Sequence, residues 1–474
     1  MFAVYLVFSF KKPEASKADL DFFMLTFKYI LKGSFFLMLV LALFCALFTF
    51  DLMFSAKNLL YPNEYIWDSG DFFFYKNGAL KFSLNLYGLI LVFLCLLTGF
   101  VAISTVDNLY SEDKLKFYLI FFQFFLAVLG FIKCSDLIAF FFFYEVLMLG
   151  SVLVVFFGSY SKKSIHAVIY FVAWTQLGSL FVLLACLYIY SLTNSTNFFV
   201  IKTFVFSKTQ AMTIYSLLFV GFGIKFPIWP LHYWLTKTHV EASTGFSIYL
   251  SGFLVKTALF GFYRLTNLIQ VELDTTFFLA VLVAGVIDSS LNMWSQTDLK
   301  KLVAYCTIQE MNLIAIFFLK GDSSLIAYGF LFTIMHALMS TLMFFLVECI
   351  YSRYKSRSTL VVNGVFFSFN NLALAIIFMV LFFSGILGTL KFVCEFFVFN
   401  LTLHVSWPIG VIFVVVVSAI GLIGFSKNWF NAIFCAPSKD VGPDALDLSK
   451  KELYIIFLCF AGLIFLTFLP FLMI

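Results

Sequence analysis

The sequence predicts an all-α fold: a polytopic membrane helical bundle of 13–14 transmembrane helices, two of them discontinuous, in an inverted-repeat arrangement. Three observations carry this. Of 474 residues, 63% are hydrophobic and 12% charged, with a mean hydropathy of +1.03, so the chain lacks the polar surface of a soluble globule. Apolar runs long enough to cross a bilayer, roughly 17–25 residues each, recur along its length. Single ionisable residues stand inside several of those runs, where each is costly and marks a partner or a water path.

The runs fall near 35–54, 84–105, 115–132, 136–158, 165–191, 212–233, 241–263, 276–295, 301–319, 324–350, 368–400, 407–426 and 452–474. An N-terminal segment, 1–34, offers one further interrupted helix from Phe2–Phe10 or Phe22–Ile30. Only 55–83 and 427–451 are long polar connections, so residues 35–474 read as one membrane domain. Its first half covers about 113–264, its second about 276–426, and a closing helix about 452–474. Lysines and arginines are strongly sided: nineteen fall on the face holding 11–34, 106–116, 159–164, 234–240, 296–301, 351–359 and 427–451, eight on the other face, and three within spans. The positive-inside rule makes the richer face matrix or cytoplasmic and puts the C-terminus outside.

Two spans are broken. Pro227 interrupts 212–233, and 368–400 carries Gly385 and Gly388 ahead of Glu395. Unwound backbone at membrane depth is tolerated only where protein or water satisfies it, and paired breaks in two halves point to a transporter repeat. Around the first break, Lys225 is the single charge between Leu217 and Pro230, and Glu145, Lys256, His336 and Glu395 stand alike in four other apolar stretches. Together they read as a polar axis inside the bundle.

Other function classes are disfavoured. A net charge of +5 without a basic block does not suggest nucleic-acid binding, and nine cysteines without a C-x-x-C pair assemble no iron–sulfur, zinc or other metal site. No G-x-G-x-x-G unit opens a strand-to-helix turn, and no cleavable presequence precedes the first run. Seventy phenylalanines, whose codons are T-rich, point to an AT-rich genome such as a mitochondrial one.

The stretch Gly223-Ile224-Lys225-Phe226-Pro227-Ile228-Trp229-Pro230-Leu231-His232-Tyr233-Trp234-Leu235, then Thr238-His239-Val240-Glu241-Ala242, resembles the antiporter-like, proton-pumping membrane subunits of respiratory complex I. Leu254-Val255-Lys256-Thr257-Ala258, Gly261-Phe262-Tyr263-Arg264 and Gln296-Thr297-Asp298-Leu299-Lys300-Lys301-Leu302 follow in the family's order and spacing, with weaker similarity over about 80–425. Glu395 in the later broken helix is similar to the type with glutamate there rather than lysine, and the type with a long lateral C-terminal helix does not fit.

The resemblance implies a multi-pass subunit of the mitochondrial inner membrane, mitochondrially encoded, moving protons beside other membrane-arm subunits, including two antiporter-like paralogues, and membrane lipids. It implies no cofactor on this chain; NADH, FMN, iron–sulfur clusters and ubiquinone belong to other subunits. Lys225 is then the proton-binding lysine with Glu145 as partner, against a static buried pair; Lys256 the central relay, against a snorkelling lysine; His336 a relay imidazole, against a plain interhelical hydrogen bond; and Glu395 the exit, against a neutral structural donor. His232, His239 and Glu241 are expected near the membrane surface in structural or entrance roles, Asp298 belongs to the matching motif, and Asp288, outside the family pattern, is expected to bond a neighbouring helix.

Two departures stand out. Gln309-Glu310-Met311 replaces the family's Ser-His-Met, and Lys391 replaces an asparagine one turn before Glu395. The separation 310 to 391 is 81 and 145 to 225 is 80, so Glu310 and Lys391 are candidate second-half modulators repeating the first-half pair; lineage drift is the competing reading. A multisubunit cation/proton antiporter component and a non-pumping structural scaffold are the alternatives for the whole chain.

Overall fold

In the computed structural model, residues 86–105, 111–158, 162–320, 323–436 and 446–473 are described. The expected span at 35–54 and the N-terminal helix lie outside them. In chain order the helices are α1 (Leu86–Thr105), α2 (Ser111–Lys133), α3 (Leu137–Gly158), α4 (Lys162–Thr193), the short α5 (Phe198–Thr203), α6 (Lys208–Lys225), α7 (Tyr233–Glu241) and α8 (Thr244–Thr266). Then come α9 (Thr276–Ser295), α10 (Leu299–Lys320), α11 (Ser323–Tyr354), the short α12 (Val365–Ser368), α13 (Asn370–Phe383), α14 (Leu390–Val405), α15 (Trp407–Phe434) and α16 (Lys450–Met473). The described residues are otherwise loops, turns and two isolated bridges, Asp136 with Asn197 and Asp298 with Ser358.

Every span expected from residue 84 onward is helical, both expected breaks are present, and one connection is corrected. The run 212–233 is α6, a break, and then α7, so 234–240, expected as a surface connection, is helix; its polar residues suit a bundle interior where neighbouring helices supply partners. The run 368–400 is two helices, α13 and α14, joined through the glycine break.

Burial orders the layers. The apolar windows of α8, α10 and α11 are 100%, 94% and 94% buried, against 39% for α4 and 28% for α16, so the first three form the centre and the others the rim. On α4 the exposed Leu177, Leu180, Leu184 and Leu187 recur at helical spacing, a stripe facing the bilayer. Elsewhere α9 packs along α10, α2 along α3, α14 against α11, and α16 on α11.

Lipid tails are as apolar as these side chains, so helices associate through close packing rather than escape from water. Phenylalanine does much of it: Phe131 lies tilted against Phe140 (4.7 Å) and Phe222 meets Tyr144 edge-on (5.4 Å), joining α2, α3 and α6. Where α4 crosses α6, glycines let the backbones touch. A Cβ on Gly221 would lie 2.9 Å from the Gly178 carbonyl oxygen and 2.8 Å from Val182 Cγ2. Gly221→Leu is therefore expected to destabilise the chain by about 1–3 kcal/mol or more, since backbone cannot retreat as a side chain can. The amount of chain recovered in membranes and its melting temperature in detergent check this; wild-type values for both would refute it.

Arg264, near the end of α8, ties the first half together. Its guanidinium donates to the carbonyls of Phe131 (3.0 Å), Ile132 (2.7 Å) and Cys134, the orphan acceptors at the C-terminal end of α2.

Candidate functional site

At the first break the freed backbone groups find specific partners. α6 starts at a capping box, Ser207 with Gln210, and ends at Lys225 because Pro227 cannot continue the ladder. Ile228 N–H donates to the Gly223 carbonyl (2.8 Å), the Trp234 indole N–H to that of Ile224 (2.8 Å), and the Asn312 amide, from α10, to that of Pro227 (3.1 Å). Lys225 is thus held, 5% exposed, at the C-terminal end of a helix, the end whose dipole favours a cation.

Its ammonium lies 4.1 Å from the centre of the Tyr144 ring. Glu145, the expected partner, is within electrostatic reach, yet Lys225 Nζ and Glu145 Oε1 both lack a hydrogen-bond partner among the described residues. The pair is open. Consecutive residues point about 100° apart around a helix, and here the ring of Tyr144 rather than the carboxylate of Glu145 faces the lysine.

His232 and His239 are enclosed by the bundle: both are 0% exposed, because the stretch between them is packed helix. His232 stacks on Tyr233 and places Nε2 3.3 Å from Asp288 Oδ2, an ion-pair distance without hydrogen-bond alignment, so Asp288 does face another element. His239 stacks on Phe344 at 4.7 Å. Glu241 is the last residue of α7, partly buried. Asp298 caps α10, accepting from the backbone N–H of Lys300 (2.8 Å) and Lys301 (3.3 Å), and pairs with Arg357 (3.5 Å). Lys300, unremarked in the sequence because it borders a polar loop, is 2% exposed and donates to the Ala242 carbonyl at the end of α7 (2.6 Å).

Lys256 sits at the centre. It is 1% exposed and its ammonium donates to the Ser251 carbonyl inside a π-helical turn, Leu250–Leu254, that interrupts α8. Such turns re-aim backbone groups and recur at functional positions. Ser251 Oγ also shares a 2.9 Å hydrogen bond with Thr307 Oγ1 on α10. Glu310 and His336 are both within electrostatic reach of Lys256.

The second break carries a closed cluster. Gly385 (φ 65°) and Gly388 (φ 96°) adopt left-handed conformations that end α13 and re-start the chain, and Thr389 caps α14. Lys391, in the first turn of α14, donates to Glu310 Oε1 at 2.7 Å, lies 3.5 Å from Glu395 Oε1 and stands 3.4 Å above the Phe383 ring. Glu310 Oε2 is 4.0 Å from His336 Nδ1. The Glu395 side chain is 16% exposed, against 2% for Glu310 and 5% for Lys391, so the cluster opens on the Glu395 side.

An all-helical multi-pass bundle with two interrupted helices and a buried string of ionisable residues between them is the architecture of an antiporter-like membrane subunit. Residues 134–421, more than half of the chain, match the family described as NADH:quinone oxidoreductase/Mrp antiporter, transmembrane, and the chain belongs to that family. It is similar to NADH-ubiquinone oxidoreductase chain 4 of Marchantia polymorpha, 30% identical over 324 residues covering 67% of this chain and 66% of that one. To chain 4 of Arabidopsis thaliana it is 28% identical over 411 residues, 84% of this chain and 80% of that one. Among solved structures it resembles a chain of respiratory complex I from Thermus thermophilus with bound NADH (TM-score 0.76, 19% identity, 94% of this chain and 95% of that one). It also resembles a chain of the Mrp complex from Dietzia sp. DQ12-45-1b (TM-score 0.78, 15% identity, 94% and 91%). At these identities the structures speak for the fold alone.

Proposed function

We propose that this chain is a proton-translocating core subunit of the membrane arm of NADH:ubiquinone oxidoreductase in the mitochondrial inner membrane, moving protons from matrix to intermembrane space. One observation carries the reading: Lys225, Lys256, Glu310, His336, Lys391 and Glu395, each nearly or wholly enclosed, stand in a mainly apolar bundle between two helix breaks. Buried charges add little net stability over apolar packing, so so many in one interior favour a proton path over a scaffold.

In this reading the first half, about 113–264, takes up a proton at Lys225 under the influence of Glu145. Lys256 passes it to the second half, about 276–426, where His336 relays it and Glu395 releases it. NADH, FMN, iron–sulfur clusters and ubiquinone act in other subunits, and no step of electron transfer is assigned here. Moving one charge against the membrane potential costs ~2.3 kcal/mol per 100 mV, so the energy reaches this chain through neighbouring subunits.

The likeness to the Dietzia Mrp complex favours a second reading, a cation/proton antiporter component without redox coupling. Purification from native membranes separates the two. The complex I reading expects the chain to co-migrate with NADH:quinone reductase activity, and reconstituted vesicles to acidify on NADH addition. A particle without that activity, generating a pH gradient only against an imposed sodium gradient, supports the antiporter instead.

A further inference from the structure

The two breaks hold their lysines at opposite ends of a helix. Lys225 is the last residue of α6, where carbonyl dipoles favour a cation, and its carboxylate partner stands off. Lys391 is in the first turn of α14, the end that repels a cation, and is enclosed at 4% exposure. A lysine there keeps its proton only if anions compensate, and two do: Glu310 at 2.7 Å and Glu395 at 3.5 Å, with the face of Phe383 at 3.4 Å. Two carboxylates thus share one ammonium, leaving the cluster one negative charge in excess when all three groups are ionised. Glu310 Oε2 is buried without a hydrogen-bond partner among the described residues and faces His336 Nδ1 at 4.0 Å. The other titratable side chains within electrostatic reach are Lys256 and the thiols of Cys306 and Cys394.

We propose that Lys391 is itself a proton-carrying residue of the second half, with Glu310 as its inner donor and Glu395 as its outer acceptor. The inference rests on the proton-translocating reading above. A proton arriving on Glu310 Oε2 from the His336 side neutralises that carboxylate and removes the stronger of the lysine's two anchors. The Lys391 ammonium then gives an N–H proton to the Glu395 carboxylate, leaving a neutral amine and a neutral acid. Glu395, the most exposed of the three, loses that proton outward. Glu310 finally passes its own proton to the amine, restoring one ammonium and two carboxylates. One proton enters and one leaves, and the cluster returns to its starting state with a single carboxylate charge in excess.

Arginine keeps the cation and both ion pairs but does not give up its proton, which makes Lys391→Arg the discriminating variant. The assembled complex is isolated, reconstituted, and scored for protons translocated per NADH oxidised, beside Lys225→Met and Glu310→Gln. The proposal expects K391R to assemble and to lose about tenfold or more of the proton transfer through this chain, read as a ratio below wild type by this subunit's share. Should arginine prevent assembly, the nearly isosteric E310Q carries the test with the same expected loss. A wild-type ratio in assembled K391R, or in E310Q where K391R does not assemble, overturns the proposal and leaves Lys391 a fixed counter-ion. Lys225→Met separates the levels: impaired K225M beside normal K391R and E310Q defeats this inference alone, whereas normal pumping in all three defeats the translocation reading as well.

Discussion

Lys391→Met is expected to destabilise the chain by about 3–5 kcal/mol, because it leaves Glu310 and Glu395 facing each other in a closed interior without their cation. The lysine holds 2.7 Å and 3.5 Å contacts to the two carboxylates, and no second lysine or arginine pairs with either among the described residues; the His336 imidazole stands 4.0 Å from Glu310. The cost falls wherever one carboxylate takes up a proton. The double variant Glu310→Gln/Lys391→Met, which removes the tightest charge pair together, is therefore expected to recover much of the loss. Melting temperature and yield of the purified complex for wild type, both single variants and the double variant measure this coupling. Additive single and double effects would mean that the two side chains do not depend on each other.

Lys256→Met is expected to leave folding nearly intact and to cut proton transfer through this chain by about 10²-fold or more, the scale on which a missing proton-transfer group acts, lowering the yield of the whole complex by this subunit's share. Methionine has nearly the volume of the lysine stem and needs no counter-charge, so the packed centre formed by α8, α10 and α11 can accept it. What it removes is the ammonium that bonds the Ser251 carbonyl and stands within reach of both Glu310 and His336. Proton uptake per NADH oxidised, measured on complex of normal subunit composition, is the check. Normal stoichiometry would take Lys256 out of the path.

Much of the fold was legible because a bilayer leaves a sequence few choices. Apolar runs of spanning length must be helices, so every span from residue 84 onward was found, and Pro227, Gly385 and Gly388 marked both interruptions. The contact between Glu310 and Lys391 was foreshadowed by separations of 81 and 80, since two halves of similar build put equivalent residues opposite one another. What stayed hidden depended on partners from other helices. The residues of α7 look like a polar loop until the bundle closes over them, so the full burial of His232 and His239 was not legible. Lys300 borders charged neighbours and gives no sign of its reach to Ala242. Whether Tyr144 or Glu145 meets Lys225 turns on helix rotation, which a uniformly apolar stretch such as α3 does not encode. The π turn beneath Lys256 likewise has no proline to announce it.

The central claim is that the buried ionisable residues carry protons rather than hold helices together. The most direct test is the number of protons translocated per NADH oxidised by the assembled complex carrying Lys225→Met, beside wild type. The account predicts an intact complex that oxidises NADH at a reduced, poorly coupled rate with a clearly lower proton yield. An intact complex with the wild-type proton yield would contradict it.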